Sequence, residues 1–330
     1  MTAANRPPTS GSTGPGKGPA KELTVLVPVF NEEDNIGFLY ERLISTLDAY
    51  GKSFELLFIE DGSVDRSFEK LAALHHADAR VRVVRFARNF GQQMAISAGL
   101  QYGRGEVIVL IDADLQAPPE EIPRLVDKLA EGYDIVYGVR KGRIDSLLRR
   151  VGSWGMSHLL YRITGIDIPD SASGFTALDR RFVENINLYS DKSKYFSGLF
   201  AWLSYGRWAT VDIRHAARHS GESKYTIAKL VSLTLNFVCN FTVMPLRFSL
   251  FVGAVLAGAS LATAAGWAFA GALGMAPFHA LGFLALAIVF LAGIQLAAMG
   301  VLGEYIGRIY REVREQPLFV VREQLDHPED

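Results

Sequence analysis

Apolar residues dominate four short stretches in the first third of the chain: Leu23–Val29 (LTVLVPV), Phe54–Ile59, Val81–Phe86 and Val107–Ile111. Each is short, rich in β-branched residues and flanked by turn formers, so each predicts a strand. Helical stretches separate them. Asn31 and Asp34 are candidate caps for a helix over about 35–50. Asp61-Gly62-Ser63 turns the chain, and Asp65 is a candidate cap for the next helix. Gln92–Tyr102 reads as a helix closed by Gly103. Strands that are apolar on both faces and alternate with helices imply an α/β fold with a mostly parallel sheet covered on both sides. Ligands of such sheets sit beyond the carboxyl ends of the strands.

The pattern changes after about residue 200. Leu230–Leu246 is apolar but dotted with Ser, Thr and Asn, and predicts an amphipathic juxtamembrane segment. Residues 248–303 then contain no Asp, Glu, Lys or Arg. A spanning helix takes about 20 apolar residues, so this run has room for two. Gly274, Pro277 and His279 break it near the middle, which predicts a hairpin of helices at 248–272 and 280–303. Lys224, Lys229 and Arg247 precede the run, and Arg308, Arg311 and Arg314 follow it, while the turn has neither Lys nor Arg. The positive-inside rule puts both ends in the cytosol. Gly253, Ala254 and Gly258 permit close helix packing, within the hairpin or between copies in a homo-oligomer.

This division predicts a disordered tail (1–21), a catalytic domain (22–220), a juxtamembrane segment (221–247), a transmembrane hairpin (248–303) and a cytosolic C-terminal tail (304–330). The first 20 residues are rich in Pro, Gly, Ser and Thr and have no apolar core of a signal peptide. The expected location is the inner (plasma) membrane, multi-pass, with both termini cytosolic. Net charge is −1, so no basic field points to nucleic acid. A single cysteine, Cys239, excludes an intrachain disulfide framework and a cysteine zinc site.

Candidate chemistry collects at three strand ends: Phe30-Asn31-Glu32, Glu60-Asp61-Gly62-Ser63 and Asp112-Ala113-Asp114-Leu115-Gln116. Converging carboxylates repel unless a cation joins them. Asp112 and Asp114 are two apart in an extended segment, so both side chains can face one way, with Gln116 beside them. Hard oxygen ligands suit Mg²⁺ or Mn²⁺ shared with substrate phosphates. The competing reading is a capping turn, because Pro118 and Pro119 begin a new element. The first strand runs into Pro28-Val29-Phe30-Asn31-Glu32 rather than GxGxxG, and no GxxxxGK[ST] occurs, so the dinucleotide-binding and P-loop signatures are absent.

Taken in order, the stretches VPVFNEEDNI (27–36), EDGSVDRS (60–67), NFGQQMAISAGL (89–100), DADLQAPPEEIP (112–123), YGVRKGR (137–143), SGFTALDRR (173–181), RHSGESKY (218–225) and GEYIGRIYREVREQP (303–317) resemble family 2 glycosyltransferases. The resemblance is to the polyprenyl-phosphate branch of GT-A fold enzymes, the dolichol-phosphate mannose synthases and the bactoprenol (undecaprenyl-phosphate) glycosyltransferases. It implies that Pro28, Phe30, Glu32, Asp61 and Ala113 hold the nucleotide. Asp112, Asp114 and Gln116 would bind the metal, Arg218 and Lys224 the diphosphate, and Arg140, Arg149 and Arg150 the acceptor phosphate. Asp112, Asp114 and Lys224 are the implied catalytic set. One departure stands out: many relatives carry Gly-Asp-Phe where this chain has Ser173-Gly174-Phe175.

The implied reaction is inverting transfer of one sugar, with glucose from UDP-glucose first, from a nucleotide sugar to a polyprenyl phosphate at the lipid bilayer. The alternatives are GDP-mannose as donor, or a processive polysaccharide synthase. The latter carries QxxRW, whereas here Ser204 stands where Gln belongs before Arg207-Trp208. A channel subunit is disfavoured by a hairpin without Asp, Glu, Lys or Arg, and a catalytically dead scaffold by the intact Asp112, Asp114 and Lys224.

Overall fold

The computed structural model describes residues 21–140, 172–189, 196–204, 206–213, 280–313 and 317–327, together with single helical positions between 251 and 269. Strands β1 (Leu23–Val29), β2 (Phe54–Glu60), β3 (Val81–Phe86) and β4 (Val107–Leu110) alternate with helices α1 (Ile36–Tyr50), α2 (Ser67–Ala77) and α3 (Gln92–Tyr102). A short 3-10 turn (Pro119–Glu121), α4 (Ile122–Leu129) and β5 (Ile135–Arg140) follow. Then come β6 (Ala172–Asp179), α5 (Arg180–Leu188), α6 (Phe196–Ser204), β7 (Trp208–Ile213), α7 (Ala280–Val313) and β8 (Val321–Leu325). The four expected strands lie within one residue of their predicted bounds.

The eight strands form one sheet in the order β7-β5-β6-β4-β1-β2-β3-β8. β1 pairs in parallel with both β2 and β4, β2 with β3, and β5 with β7. β6 is antiparallel to its neighbours β4 and β5, and β8 is antiparallel to β3. Side chains alternate between two apolar layers. Val25, Val27 and Val29 of β1 meet Leu39 and Leu43 of α1 on one face. Leu26 of β1 and Leu57 of β2 meet Ala95 and Ala98 of α3 on the other. Burial on both faces is why these strands read as continuous apolar runs.

Strand order reverses between β1 and β4, so the crevice at their carboxyl ends is the topological switch point where such sheets bind ligands. β5 runs parallel to β4 through their shared neighbour β6, so the Arg140 end of β5 lies on the same edge.

Three expectations change. Neither Asn31 nor Asp34 caps α1: its N-cap is Asn35, which makes no side-chain cap bond. The last apolar helix does not stop at 303. α7 runs on through Glu304, Arg308 and Arg311 to Val313, and no proline interrupts the sequence there until Pro317. Third, the segment read as a C-terminal tail supplies β8.

β8 is mostly exposed, and it is held by backbone pairing to β3 and by one buried charge cluster. Arg82, 1% exposed, donates to Glu55 at 2.8 Å, to the Tyr102 carbonyl at 3.0 Å and to Asp326 at 2.5 Å. Phe319 stacks on Phe86 with ring centres 4.9 Å apart. Among the described residues, one helix is long and apolar enough to cross a membrane, with its window at Phe290–Gly307 and a mean hydropathy of 1.4. The first arm of the predicted hairpin and the Leu230–Leu246 segment lie largely or wholly outside the described residues.

Candidate active site

Beyond β4 the chain leaves the strand and turns at Ala113-Asp114, yet burial still alternates. Ala113, Leu115 and Ala117 are 4%, 5% and 8% exposed and join the core. Asp112, Asp114 and Gln116 between them are half-buried. Three polar side chains therefore alternate with core residues through this turn, at the carboxyl end of β4. The competing reading is met in part: a turn is present, but no carboxylate caps the next element. The turn at Pro119–Glu121 has Pro118 at its N-cap and no side-chain cap bond, while Asp114 accepts the N–H of Gln116 at 3.1 Å in a local turn. Leu115, with φ of 61°, takes the left-handed conformation that non-glycine residues avoid. Asn31, at the end of β1, has φ of 55°. These are the two non-glycine positive-φ residues among those described, and both lie at the switch point, where stored backbone strain belongs to functional sites.

The Asp112 carboxylate is held from two sides. Its Oδ1 accepts the side-chain N–H of Gln92, the first residue of α3, at 2.7 Å. Its Oδ2 lies against Gly174 of β6: a Cβ built on Gly174 would come within 2.4 Å of it. The absent side chain at 174 is thus a steric requirement of the carboxylate next to it. An acid at this position needs the Asp112 carboxylate somewhere else.

The loops at the β1 and β2 ends are stitched together. Asn31 donates its N–H to Ser63 Oγ at 3.0 Å, and its Oδ1 accepts from Val64 N at 2.9 Å. Glu32 donates its N–H to Ser67 Oγ at 2.9 Å and accepts Asn35 Nδ2 at 2.6 Å. Asp65 accepts from Ser67 N and Glu33 N and so ties the start of α2 to the β1 loop, although the N-cap of α2 is Arg66, with no side-chain cap bond, and not the expected Asp65. Gly62 has φ of 66°, and a Cβ there would lie 2.4 Å from the Arg88 carbonyl carbon, so only glycine lets the loop after β2 touch the loop after β3. Phe30 remains 43% exposed at the rim, and Pro28 is half-buried.

Asp61 does something the sequence did not announce. Its carboxylate, 2% exposed, accepts the backbone N–H groups of Phe90 at 2.6 Å and Gly91 at 2.8 Å. Burial raises its pKa above the ordinary carboxylate value; the two N–H groups offset part of this, and neighbouring Glu60 adds to it. Glu60 is fully buried, with one oxygen on Ser63 N and the other 3.2 Å from Arg85 Nε. Ala113 turns its side chain into the core, so any contact it makes with a nucleotide comes from its backbone. Arg140 ends β5 opposite Ile213. Arg149, Arg150, Arg218 and Lys224 lie outside the described residues. Gln92 was missed; its signal was a polar residue opening a helix directly after the Phe90-Gly91 turn.

The described residues contain no group of three or more His, Cys, Asp or Glu able to hold a metal. Two carboxylates and an amide are too few for a closed zinc site. They suit Mg²⁺ or Mn²⁺, which keep coordination positions for water and substrate phosphates.

The chain matches the family model described as Glycosyl transferase family 2 over residues 24–186. It is 36% identical over 303 residues to an uncharacterized glycosyltransferase of Synechocystis, covering 91% of this chain and 94% of that one. It is 35% identical over 316 residues to an uncharacterized glycosyltransferase of Bacillus subtilis, with coverages of 91% and 93%. It is 36% identical over 315 residues to the undecaprenyl-phosphate 4-deoxy-4-formamido-L-arabinose transferase of Pectobacterium carotovorum, with coverages of 92% and 93%. Among solved structures, glucosyl-3-phosphoglycerate synthase from Mycobacterium tuberculosis aligns with a TM-score of 0.48 at 21% identity, over 66% of this chain and 76% of that one.

Proposed function

The chain belongs to glycosyl transferase family 2 and is a glycosyltransferase, and from that premise we propose that it transfers a single sugar from a nucleotide sugar to a polyprenyl phosphate at a membrane surface. The observation that carries the reading is the alternation of burial after β4, which leaves Asp112, Asp114 and Gln116 half-buried at the switch point while the residues between them join the core. The polyprenyl acceptor follows from the transferase of Pectobacterium carotovorum, whose similarity spans nearly both chains. UDP-glucose is the first donor proposed.

In this reading Phe30 offers its exposed ring to the base, with Pro28 and Glu32 around it, and the backbone at Ala113 borders the nucleotide. Asp61 fixes the 90–91 turn beneath. Asp112, Asp114 and Gln116 would hold Mg²⁺ or Mn²⁺, which supplies positive charge against the leaving diphosphate. Arg218 and Lys224 neutralise the same diphosphate. Arg140, with Arg149 and Arg150, draws in the anionic acceptor. The acceptor phosphate has a second pKa of about 6 and is largely ionised at neutral pH, so a strong general base is unnecessary. Catalysis then rests on positioning and charge neutralisation.

Connectivity supports the membrane. The chain leaves the sheet after β7 at Ile213 and rejoins it at β8 from Val321, so both points lie on one side of any bilayer. The segment between them therefore crosses an even number of times. One crossing at Phe290–Gly307 requires another between 214 and 289, where the uncharged run beginning at 248 supplies the length.

The test is transfer to undecaprenyl phosphate from radiolabelled UDP- and GDP-sugars and a nucleotide-linked 4-deoxy-4-formamido-L-arabinose, with and without Mn²⁺. Lipid-linked product from one donor, dependent on the metal, is expected. No product from any donor refutes the reading.

A further inference from the structure

We propose that Gln92 is a positioning residue for Asp112, setting the orientation in which that carboxylate meets the divalent cation. The inference rests on the metal role given to Asp112 above and deepens it. An ionised carboxylate only accepts hydrogen bonds, so the 2.7 Å contact fixes the Gln92 amide with its N–H group toward Asp112 Oδ1. The second oxygen has its place set by the close approach of Gly174. These two contacts constrain the carboxylate at both of its oxygens.

Gln92 is itself well anchored. It opens α3 directly after Gly91, and the N–H groups of Phe90 and Gly91 are bonded to buried Asp61. On the next residue, Gln93 Oε1 accepts the N–H of Phe196, which ties the same turn to α6 at 3.0 Å. The first turn of α3 is therefore clamped from two elements, while the Gln92 side chain stays exposed and contributes little to the core.

The choice of an amide has a chemical reason. A lysine or arginine at 92 would orient Asp112 equally well, but its charge would neutralise the ligand and repel the cation. A neutral donor orients the carboxylate and leaves its full charge for the metal. Partners of this kind, one step behind a metal ligand, typically change metal affinity about 10–100-fold when removed.

The experiment is Mn²⁺ titration followed by electron paramagnetic resonance on the purified full chain in detergent, for wild type, Gln92→Met and Asp112→Asn. Gln92→Met keeps the length of the side chain and removes the donor. The expected result is an apparent Kd for Mn²⁺ raised about tenfold or more in Gln92→Met, with an unchanged thermal unfolding midpoint. The Mn²⁺ concentration for half-maximal transfer should rise in parallel. Wild-type Mn²⁺ affinity in Gln92→Met, with binding lost in Asp112→Asn, overturns the positioning role alone. Absence of Mn²⁺ binding in wild type overturns the metal site itself. Should Gln92→Met fail to fold, Gln92→Asn, whose shorter amide stops short of Asp112, asks the same question.

Discussion

Replacing Gly174 by alanine should displace Asp112, the proposed metal ligand, without disturbing the core. Gly174 is exposed on β6, and its backbone is not in the left-handed region, so the strand itself accepts a side chain there. The obstacle is Asp112. The added methyl would sit 2.4 Å from Oδ2, whereas ordinary contact begins near 3.4 Å, so the carboxylate has to retreat by about 1 Å. Oδ1 already lies 2.7 Å from Gln92, and a retreat of that size stretches or breaks the bond. A misplacement of about 1 Å at a reacting centre can cost about 10²-fold in rate, and a surface substitution away from special features changes stability by about 0.5 kcal/mol or less. The prediction is thus a kcat lower by about two orders of magnitude at saturating metal and donor, with an almost unchanged unfolding midpoint. Initial rates of sugar transfer to undecaprenyl phosphate, beside a thermal melt, measure both. A Gly174→Ala enzyme with wild-type kcat would show that the position of Asp112 does not govern the reaction.

Three further outcomes follow from the same geometry. Phe30→Ala removes the exposed ring at the β1 end; if a base stacks there, the loss of about 1–3 kcal/mol raises KM for the nucleotide sugar about tenfold while kcat changes less, as steady-state kinetics would show. Asp61→Asn sets an amide N–H against one of two backbone N–H donors, so it should cost about 1–3 kcal/mol and loosen the 88–91 loop, read as faster hydrogen exchange at Phe90 and Gly91. Asp326→Asn weakens the tie between β8 and the sheet by about 1.5–3 kcal/mol at neutral pH. Burial alone would raise the Asp326 pKa, but the hydrogen bond and charge of Arg82 outweigh it and hold it below the ordinary value. Its stabilisation is therefore present above the unfolded pKa of about 3.9 and lost as pH falls through the lower folded value, so the gap between wild-type and variant melts should close in acid.

The central sheet was readable because β1 to β4 are buried on both faces and so carry apolar residues at nearly every position. β7 is buried only at alternate positions and was passed over. β8 carries almost no hydrophobic signature; backbone pairing to β3 and the bond from Arg82 to Asp326, 244 residues away in sequence, hold it in place. Nothing local in VREQL announces either. At the site, the three polar residues Asp112, Asp114 and Gln116 were legible in the sequence, but the turn that carries them was not. Nor was the Gln92 contact, because it joins residues on different elements 20 positions apart. Asp61 looked ligand-facing as an acid at a strand end, yet both its oxygens hold backbone N–H groups, and only the folded loop reveals that.

Strand order also bears on how the site meets a lipid. The chain departs from β7 at one edge of the sheet and returns as β8 at the other, with β4 and β1 between them. Ile213 pairs with Arg140 at the carboxyl end of β5, and Val321 pairs with Phe86 at the carboxyl end of β3. Both points of attachment to the apolar segment therefore lie on the edge that carries Asp112. Seven strand spacings of about 4.8 Å separate them by roughly 34 Å, so the site is straddled by its tethers. A single tether would leave the domain free to swivel on a bilayer. If the proposed hairpin joins them, two on the same edge would turn that edge, and the Asp112 carboxylate with it, toward the proposed lipid phosphate. Cutting the return tether with a protease site inserted at 314–316 should then leave membrane attachment intact while slowing transfer to a bilayer-embedded acceptor more than to a short, water-soluble polyprenyl phosphate. Equal loss with both acceptors would count against orientation as the purpose of the eighth strand.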